Sequence, residues 1–414
     1  MSNNLLTISK ITNEALMVLE NELTFTSEVD RNYDDQFAVI GAKIGNTVNV
    51  RRPGRFIGTT GPALNVEDFN ETSVPVTLGT QFHVDTQFTT QDLALSLDMF
   101  SDRVLKPAVA AIANKIDRDG LVMAKNNTAN IVGTAGVVPS DLITYLTGQA
   151  YLDSEGAPRD GRRSCIIEPF TSATIVNSLK GLFNPQTTIS EQYTKGLMGR
   201  DSSGMNWKLD QNVVSQTFGA WTTTAGAITV NGANQGLSSG WAQTSTINIS
   251  ATAAGTLNQG DVIQFANVYG VNPQNRQSYG KLRNFVVTSA VTLTNGNTTV
   301  TVSPALIYSG QFQNVSTSPA SGATITPFSI GTSATGVSSP QNIIMHRNAF
   351  TLATADLELP EGVHFAGRAS DKEIGLSMRV VRQYTINNDS IPTRLDVLYG
   401  WAPLYPELAC RVAA

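Results

Sequence analysis

The uneven distribution of charge along the chain constrains its fold more than any other sequence feature. Charged residues make up 15% of the 414 residues, but the whole of residues 217–340 contains only Asp261, Arg276, Lys281 and Arg283. Gly, Ser, Thr, Asn and Gln dominate this stretch. Short alternating runs of apolar and polar residues within it are separated by turn signals such as Asn295-Gly296. This pattern predicts an all-β domain of short strands.

The flanking sequence predicts a different, mixed structure. Apolar residues at three- and four-residue spacing predict a long helix across residues 105–123. Residues 140–152 and 171–182 are further helix candidates, and residues 165–167 read as a buried strand. This is an α+β pattern. Charge density returns after residue 340, so the β segment is predicted to be inserted into a host domain with halves at 36–216 and 341–414.

Residues 36–90 are predicted to form a long two-stranded excursion with little core of its own. Strand patterns on both sides enclose a turn that contains Arg51, Arg52 and Arg55, the one concentrated cationic site of the chain. Contact with phosphate is one interpretation. Because Glu67, Asp68 and Glu71 follow on the same excursion, ion pairs at a partner surface or a solvated loop are favoured. We expect the arginines to contact carboxylates of a neighbouring subunit.

The N-terminal segment predicts a short acidic helix across residues 8–23. Residues 10–35 contain seven carboxylates and only two basic residues. The apolar stripe leaves Glu14 and Glu22 free to face outward. A helix this short must dock on its own body or on a partner. Both alternatives stay open, and a basic segment of a partner is the sharper hypothesis.

Composition excludes several classes of protein. The 28 Lys and Arg against 33 Asp and Glu give a net charge of −5, which disfavours a general nucleic-acid binder. The chain carries no signal-peptide pattern and no apolar run long enough for a membrane helix, so a soluble protein made in a cytoplasm is expected. With 2 Cys and 3 His, neither a disulfide framework nor a local metal site is predicted.

Catalytic motifs are lacking. The glycine-containing segment at residues 41–47 is not a phosphate loop, because no Lys-Ser/Thr pair follows its second glycine. There is no G-x-S-x-G nucleophile elbow. Five carboxylates could be paired only arbitrarily, and we expect them at solvated helix ends and loops: Asp117, Asp119, Asp153, Glu155 and Asp160. The sequence therefore predicts no enzyme, no cofactor and no metal.

Taken together, four stretches resemble one family, the major coat protein of short-tailed double-stranded DNA phages of the P22 type. They are IGNTVNVRRPGRF (44–56), LDMFSDRVLKPAVAAIANKID (97–117), GTLNQGDVIQFANVYGVNPQNRQSYGKLRNFVVT (255–288), and MHRNAFTLATADLELP (345–360) with the ending LYGWAPLYPELACRV (398–412). The order of the parts also matches across essentially the whole chain.

The resemblance implies an HK97-type shell fold with an inserted β-barrel. In this chain it implies an N-terminal arm (1–35), an extended loop (36–90), a spine helix and peripheral region (91–125), a first axial part (126–216), the insertion (217–340) and a return through the axial and peripheral domains (341–414). The implied function is self-assembly, as hexamers and pentamers, into an icosahedral virion shell in the bacterial cytoplasm.

The implied partners are other copies of the chain, a scaffolding protein, a portal protein and packaged DNA held by weak, non-specific contact. Whether a decoration protein is also present stays open, and no membrane partner is implied. The alternative from a different class is a β-rich phage tail or adhesin protein that reads a glycan with Trp221 and Trp241. The missing signal, the long helix and the divided host domain argue against it.

Overall fold

The computed structural model describes residues 23–31, 45–89, 106–178, 203–221, 227–328, 336–371 and 376–414. These residues form a strand-rich α+β fold, which confirms the predicted class. Their α-helices are α1 (Lys106–Asn127), α2 (Leu142–Ser154) and α3 (Pro169–Ser178). The predicted helix at 105–123 is confirmed by α1, and those at 140–152 and 171–182 are confirmed by α2 and α3 over their described residues. Most of the predicted helix at 8–23 lies outside the described residues.

The strands fall into three groups along the chain. Before the insertion they are β1 (Thr47–Arg52), β2 (Thr72–Thr77), β3 (Thr80–Thr89), β4 (Ile131–Gly133), β5 (Arg163–Ile167), β6 (Asn206–Leu209) and β7 (Ser215–Thr217). Within it they are β8 (Ile228–Val230), β9 (Ser245–Ala251), β10 (Gly255–Leu257), β11 (Val262–Val271), β12 (Ser278–Val287), β13 (Val291–Leu293), β14 (Gly296–Ser303) and β15 (Ile325–Pro327). The remaining strands are β16 (Ser338–His346), β17 (Phe350–Ala355), β18 (Phe365–Asp371), β19 (Leu376–Arg382), β20 (Ser390–Pro403) and β21 (Ala409–Ala413).

The chain divides into two compact units, each built from three segments. The first comprises Met1–Val50, Val74–Gly120 and Phe350–Ala402. Its sheet has the order β17-β20-β19-β18, with β3 paired along β20. Asp396 is fully buried in β20, where its carboxylate accepts hydrogen bonds from Arg379, Arg394 and Gln81. These donors satisfy a charge that would otherwise be costly to bury.

Another buried carboxylate of the first unit fixes the described N-terminal residues. Asp117 on α1 is almost fully buried and accepts the backbone N–H groups of Thr24, Phe25 and Thr26, at 2.7, 3.2 and 3.1 Å. It thereby caps the short 3₁₀ turn Thr26–Glu28 from a different element, since free N–H groups at a helical N-terminus favour a negative charge. The expectation that Asp117 is solvated is wrong, because it is the acceptor for these otherwise unpaired amides.

The second unit comprises Arg51–Ser73, Leu121–Ala349 and Pro403–Ala414. One of its sheets has the order β4-β21-β16-β5-β6, with β7 also paired to β16. Helix α2 covers one face of this sheet and buries Tyr145 and Leu152 against Cys165, Ile344 and Cys410. Both cysteines are free and buried, as expected of thiols used as small apolar groups.

The charge-poor segment forms a six-stranded antiparallel sheet with the order β15-β11-β12-β14-β9-β8. Its edge strands meet through a bridge between Thr229 and Thr324, which closes the sheet into a barrel. The alternating apolar residues of the strands point inward and form one buried cluster that includes Ile247, Phe265 and Phe285. The predicted β-barrel is confirmed.

The chain enters and leaves the barrel through one strand pair. β7 pairs with the start of β16, so that Thr217 lies opposite Ser338, and the Phe218 amide donates to the Val337 carbonyl oxygen at 3.0 Å. Adjacent entry and exit points are typical of a domain inserted into a host. They support the boundaries at 217 and 340, which stay a prediction.

We therefore expect a fragment of residues 217–340 to be soluble and to unfold cooperatively with a β-type circular dichroism spectrum, since its strands close on themselves. Thermal unfolding followed by circular dichroism is the measurement. A random-coil spectrum under native conditions would show that the barrel needs its host to fold.

Candidate functional site

The loop between β1 and β2, residues 53–71, is the most unusual surface of the second unit. It contains no regular secondary structure and exposes large apolar side chains: Phe56, Ile57, Leu64, Val66 and Phe69 are 60%, 57%, 91%, 78% and 58% exposed. Single exposed apolar residues are ordinary, but soluble monomers rarely concentrate them on one segment. We call this segment the apolar loop.

Internal contacts give the apolar loop a defined shape. The Glu67 carboxylate accepts hydrogen bonds from the amides of Ile57 and Gly58 at 2.7 and 2.6 Å. The rings of Phe56 and Phe69 stack with centroids 5.9 Å apart. The Phe69 ring packs directly on Gly54, where a Cβ atom would force the ring to move. The exposed apolar surface is therefore presented in one arrangement.

An ion pair anchors the start of the apolar loop within its own chain. Arg52 hydrogen-bonds to Glu407, and both side chains are mostly buried, at 12% and 14% exposure. The guanidinium group also lies 4.4 Å from the ring centroid of Tyr405 and 5.5 Å from that of Trp241. Such stacking suits the planar arginine head group.

The charge of Glu407 is held by two arginines. Burial disfavours its ionised form, but the nearby charges of Arg52 and Arg55 outweigh burial and lower the pKa of Glu407 below its ordinary value. Arg55 lies 3.9 Å from the same carboxylate. Glu407 therefore stays ionised at neutral pH and holds both cations beside the C-terminal strand β21.

Arg51 differs from its neighbours. It pairs at 3.4 Å with Glu71, across the base of the apolar loop, and both side chains are largely exposed. An exposed pair of this kind contributes about 0–1 kcal/mol. All three arginines thus contact carboxylates of the same chain, which differs from the expected contacts with a neighbouring subunit. A role at a subunit interface stays a prediction for Arg51, Arg52 and Arg55.

The barrel contacts the C-terminal end of the apolar loop. The side chain of Gln311 donates a hydrogen bond to the carbonyl oxygen of Asp68 and accepts a long one, 3.4 Å, from Asn70. Arg276 in turn donates to the carbonyl oxygens of Gly310 and Gln311, at 2.6 and 2.7 Å. One of the few charges in the barrel thereby fixes the turn that contacts the loop.

The remaining candidate residues from the sequence differ in burial and in their partners. Glu14 and Glu22 lie outside the described residues. Glu155, expected at a solvated loop, is instead buried beside Arg283, with which it forms an ion pair. Asp153 and Asp160 are partly exposed and pair with surface arginines, as expected, but Asp153 also pairs with buried Arg163 and Asp160 with buried His346. Sequence reasoning did not find Glu407 or the apolar loop residues, because only the fold brings Glu407 to Arg52.

The described residues show no metal centre, and they do not bring the two tryptophans considered for glycan binding together. They contain no group of three His, Cys, Asp or Glu side chains able to hold a metal ion. Trp221 is buried in the barrel core, and Trp241 is half-buried beside Arg52. The two rings are therefore not presented as a stacking face for a sugar. No helix in the described ranges is long and apolar enough to cross a membrane.

The solved structures similar to this chain include several phage capsids. The chain is similar to the capsid of Ralstonia phage GP4 (TM-score 0.48, 7% identity, 94% of this chain and 88% of that chain) and to a structure from Mycobacterium phage Che8 (0.46, 11%, 94% and 90%). It is also similar to the CUS-3 coat protein I-domain (0.20, 25%, 25% and 97%). A search of curated protein sequences finds no match.

The family comparison covers nearly the whole chain. The model described as "P22 coat protein - gene protein 5" matches residues 1–411 of the 414. The match includes the apolar loop, the barrel, Glu407 and the first three residues of β21. It also accounts for the absence of a catalytic constellation, because a coat protein is a structural component of the virion and not an enzyme. The chain belongs to the P22 coat protein family, with the HK97-type shell fold that the sequence resemblance implies, and forms the phage capsid.

Proposed function

We propose that the chain assembles as hexamers and pentamers into an icosahedral shell that encloses double-stranded DNA. Family membership over residues 1–411 carries this proposal. Assembly proceeds through a precursor shell organised by a scaffolding protein, in the host cytoplasm, and DNA enters through a portal. The net charge of −5 suits weak, non-specific contact with the packaged DNA.

The apolar loop supplies the surface for contact between subunits. Its exposed side chains are held in one shape by Glu67 and by the barrel, and burial on a second copy of the chain would remove them from water. A preformed surface loses little conformational entropy on association. The loop is therefore the element on which we expect assembly to depend most.

Replacing the most exposed apolar residue tests this role. Leu64→Ser should leave the unfolding free energy of the monomer within about 0.5 kcal/mol of wild type, because Leu64 is 91% exposed. Burial of the Leu64 side chain on a neighbouring subunit should contribute about 1.5–3 kcal/mol to each subunit contact. Its loss should therefore raise the protein concentration needed for assembly roughly tenfold or more. Sedimentation velocity and negative-stain microscopy measure assembly with added scaffolding protein.

Leu64→Met is the matched control, since it keeps the apolar area and should assemble close to the wild-type concentration. If Leu64→Ser also assembles at that concentration, the loop does not bury Leu64 on a neighbour.

Charge reversal at the adjacent residues Arg52 and Arg51 should change the unfolding free energy of the monomer by very different amounts. Arg52→Glu places a second carboxylate beside buried Glu407 and should cost about 3–5 kcal/mol of unfolding free energy. Arg51→Glu changes an exposed pair and should cost no more than about 1 kcal/mol. An Arg52 whose carboxylate partner lay on a neighbouring subunit would instead leave the melting temperature of the monomer nearly unchanged on charge reversal. Urea denaturation of the monomer is the measurement.

The exchange Arg52→Glu with Glu407→Arg should recover part of the loss. Equal stability of the Arg51 and Arg52 variants would contradict the intrachain role of Arg52. If Arg51→Glu keeps full monomer stability but assembles poorly, Arg51 has its functional partner on a neighbouring subunit.

The N-terminal arm is the proposed docking site for a basic segment of the scaffolding protein. Its support is the excess of seven carboxylates over two basic residues across positions 10–35. Surface ion pairs are worth about 0–1 kcal/mol each and are screened over about 10 Å at 0.1 M salt. Such weak contacts suit a scaffold that must leave before DNA fills the shell.

Glu14→Lys should therefore reduce incorporation of the scaffolding protein into assembled shells, and raised salt should reduce incorporation in wild type. Glu22→Lys provides a second position in the same segment. Gel densitometry of purified shells measures the ratio of scaffold to coat. Wild-type incorporation by both variants, at low and at high salt, would remove the arm from the candidate docking sites.

A further inference from the structure

Arg411 is a fully buried arginine whose head group has no hydrogen-bond partner among the described residues. Its Nε, Nη1 and Nη2 atoms are all buried and unpaired. It lies in the middle of β21, between Ile343 of β16 and Ile131 of β4. An arginine keeps its charge under all physiological conditions, and a buried charge is costly unless it is paired. This guanidinium group therefore requires a counter-charge.

Asp261, a carboxylate that interacts electrostatically with Arg411, does not supply these hydrogen bonds. Asp261 is fully buried. Its oxygens instead accept hydrogen bonds from the side chain of Gln216 at 2.9 Å, from the Gly219 amide at 2.9 Å and from the Asn258 amide at 2.8 Å. Asp261 thus organises the entry to the barrel, and the nitrogen atoms of Arg411 stay unpaired.

A second cation adds to the imbalance. Lys125, near the end of α1, donates a hydrogen bond of 2.5 Å to the Gln216 side-chain oxygen. Burial, and then the positive charge of Arg411, lower the pKa of Lys125 to about 8. The two cations therefore repel each other in a setting where, among the described residues, Asp261 is the only carboxylate that interacts with both. The local charge is positive and largely shielded from solvent.

A neutral amide completes the cluster. The Asn126 side-chain oxygen is buried without a hydrogen-bond partner in the described part of the chain. It lies beside Gly260, as does the Gln216 oxygen that binds Lys125. Because an asparagine amide can be turned to exchange its oxygen and nitrogen, Asn126 can present N–H donors beside Gly260, next to the Gln216 oxygen that binds Lys125. Arg411, Lys125 and Asn126 then offer only donors.

We propose that Arg411, Lys125 and Asn126 form a buried binding site for a small inorganic anion. The anion would accept hydrogen bonds from the guanidinium group of Arg411 and balance the charge that Asp261 leaves uncompensated. Since Lys125 and Asn126 at the end of α1, Arg411 on β21 and the entry to the barrel all belong to the second unit, the bound ion would stabilise the attachment of the barrel to its host sheet.

Thermal unfolding of the full-length chain tests this site. Chloride or phosphate is titrated against gluconate, a bulky organic anion, at constant ionic strength and pH 7. A ligand that binds only the folded state raises the melting temperature in a saturable way, and a rise of about 2 °C or more is expected with at least one of the two ions. The ion that acts at the lower concentration identifies the ligand. Equal melting temperatures in all three salts would mean that water alone solvates Arg411, and would overturn the proposal.

Three variants separate the site from general salt effects, which act on any protein surface. Arg411→Met replaces the buried charge with an apolar side chain and should abolish the anion-dependent rise. Lys125→Met, at a half-buried position that should tolerate the change, is expected to shift the titration midpoint several-fold upward. Arg347→Met, at an exposed arginine, should behave like wild type.

If Arg411→Met does not fold, Lys125→Met decides: an unchanged midpoint overturns the proposal. Anion dependence that survives in a folded Arg411→Met variant overturns it as well. Bromide gives a direct readout when chloride is the active ion, because an anomalous diffraction peak is expected within hydrogen-bond distance of the Arg411 head group.

Discussion

A loop without a core can keep its shape only if its ends are fixed, and the buried pair of Arg52 and Glu407 fixes one of them. The cation is enclosed by Tyr405 and Trp241, and the carboxylate is shared with Arg55. Removing either partner would leave an uncompensated charge in a mostly buried place, which costs more than the pair itself contributes. The ion pair therefore adds little to the free energy of folding, and its main effect is to fix where the apolar loop begins.

The barrel takes part in the same task. Of its four charged residues, Asp261 binds the backbone at the barrel entry, Arg276 fixes the turn that contacts the apolar loop, and Arg283 pairs with Glu155. A domain so poor in charge uses these charges to join itself to the surrounding chain. The alternating apolar residues of its strands form the barrel core, whereas these few polar contacts attach the barrel to other segments of the chain. The barrel thereby contacts the exposed apolar loop that we propose as the assembly surface.

Buried carboxylates recur at the joints of the fold. Asp117 binds three successive backbone amides near the N-terminus, and Asp396 collects two arginines and a glutamine across neighbouring strands. Asp117 thereby pairs backbone amides that would otherwise lack partners, whereas the donors around Asp396 satisfy its own buried charge. In the second unit, Glu407 and Asp261 likewise accept hydrogen bonds from donors on other segments. The buried carboxylates of this chain therefore link segments that are distant in sequence.

The sequence by itself determined the local structure and the family. Apolar spacing is a property of neighbouring residues, so it sufficed to predict α1, the alternating strands of the barrel and the strand pair β1–β2, whereas the pairing of β3 with β20 was not predicted. Ordered motifs over the whole length sufficed to identify a coat protein. Tertiary structure alone decided the partners of those charges. Glu407 lies 355 positions from Arg52, and Asp117 meets residues some 90 positions away. No periodicity connects such residues, because the contact exists only after the strands and helices have packed, and burial then decides which charges must be paired.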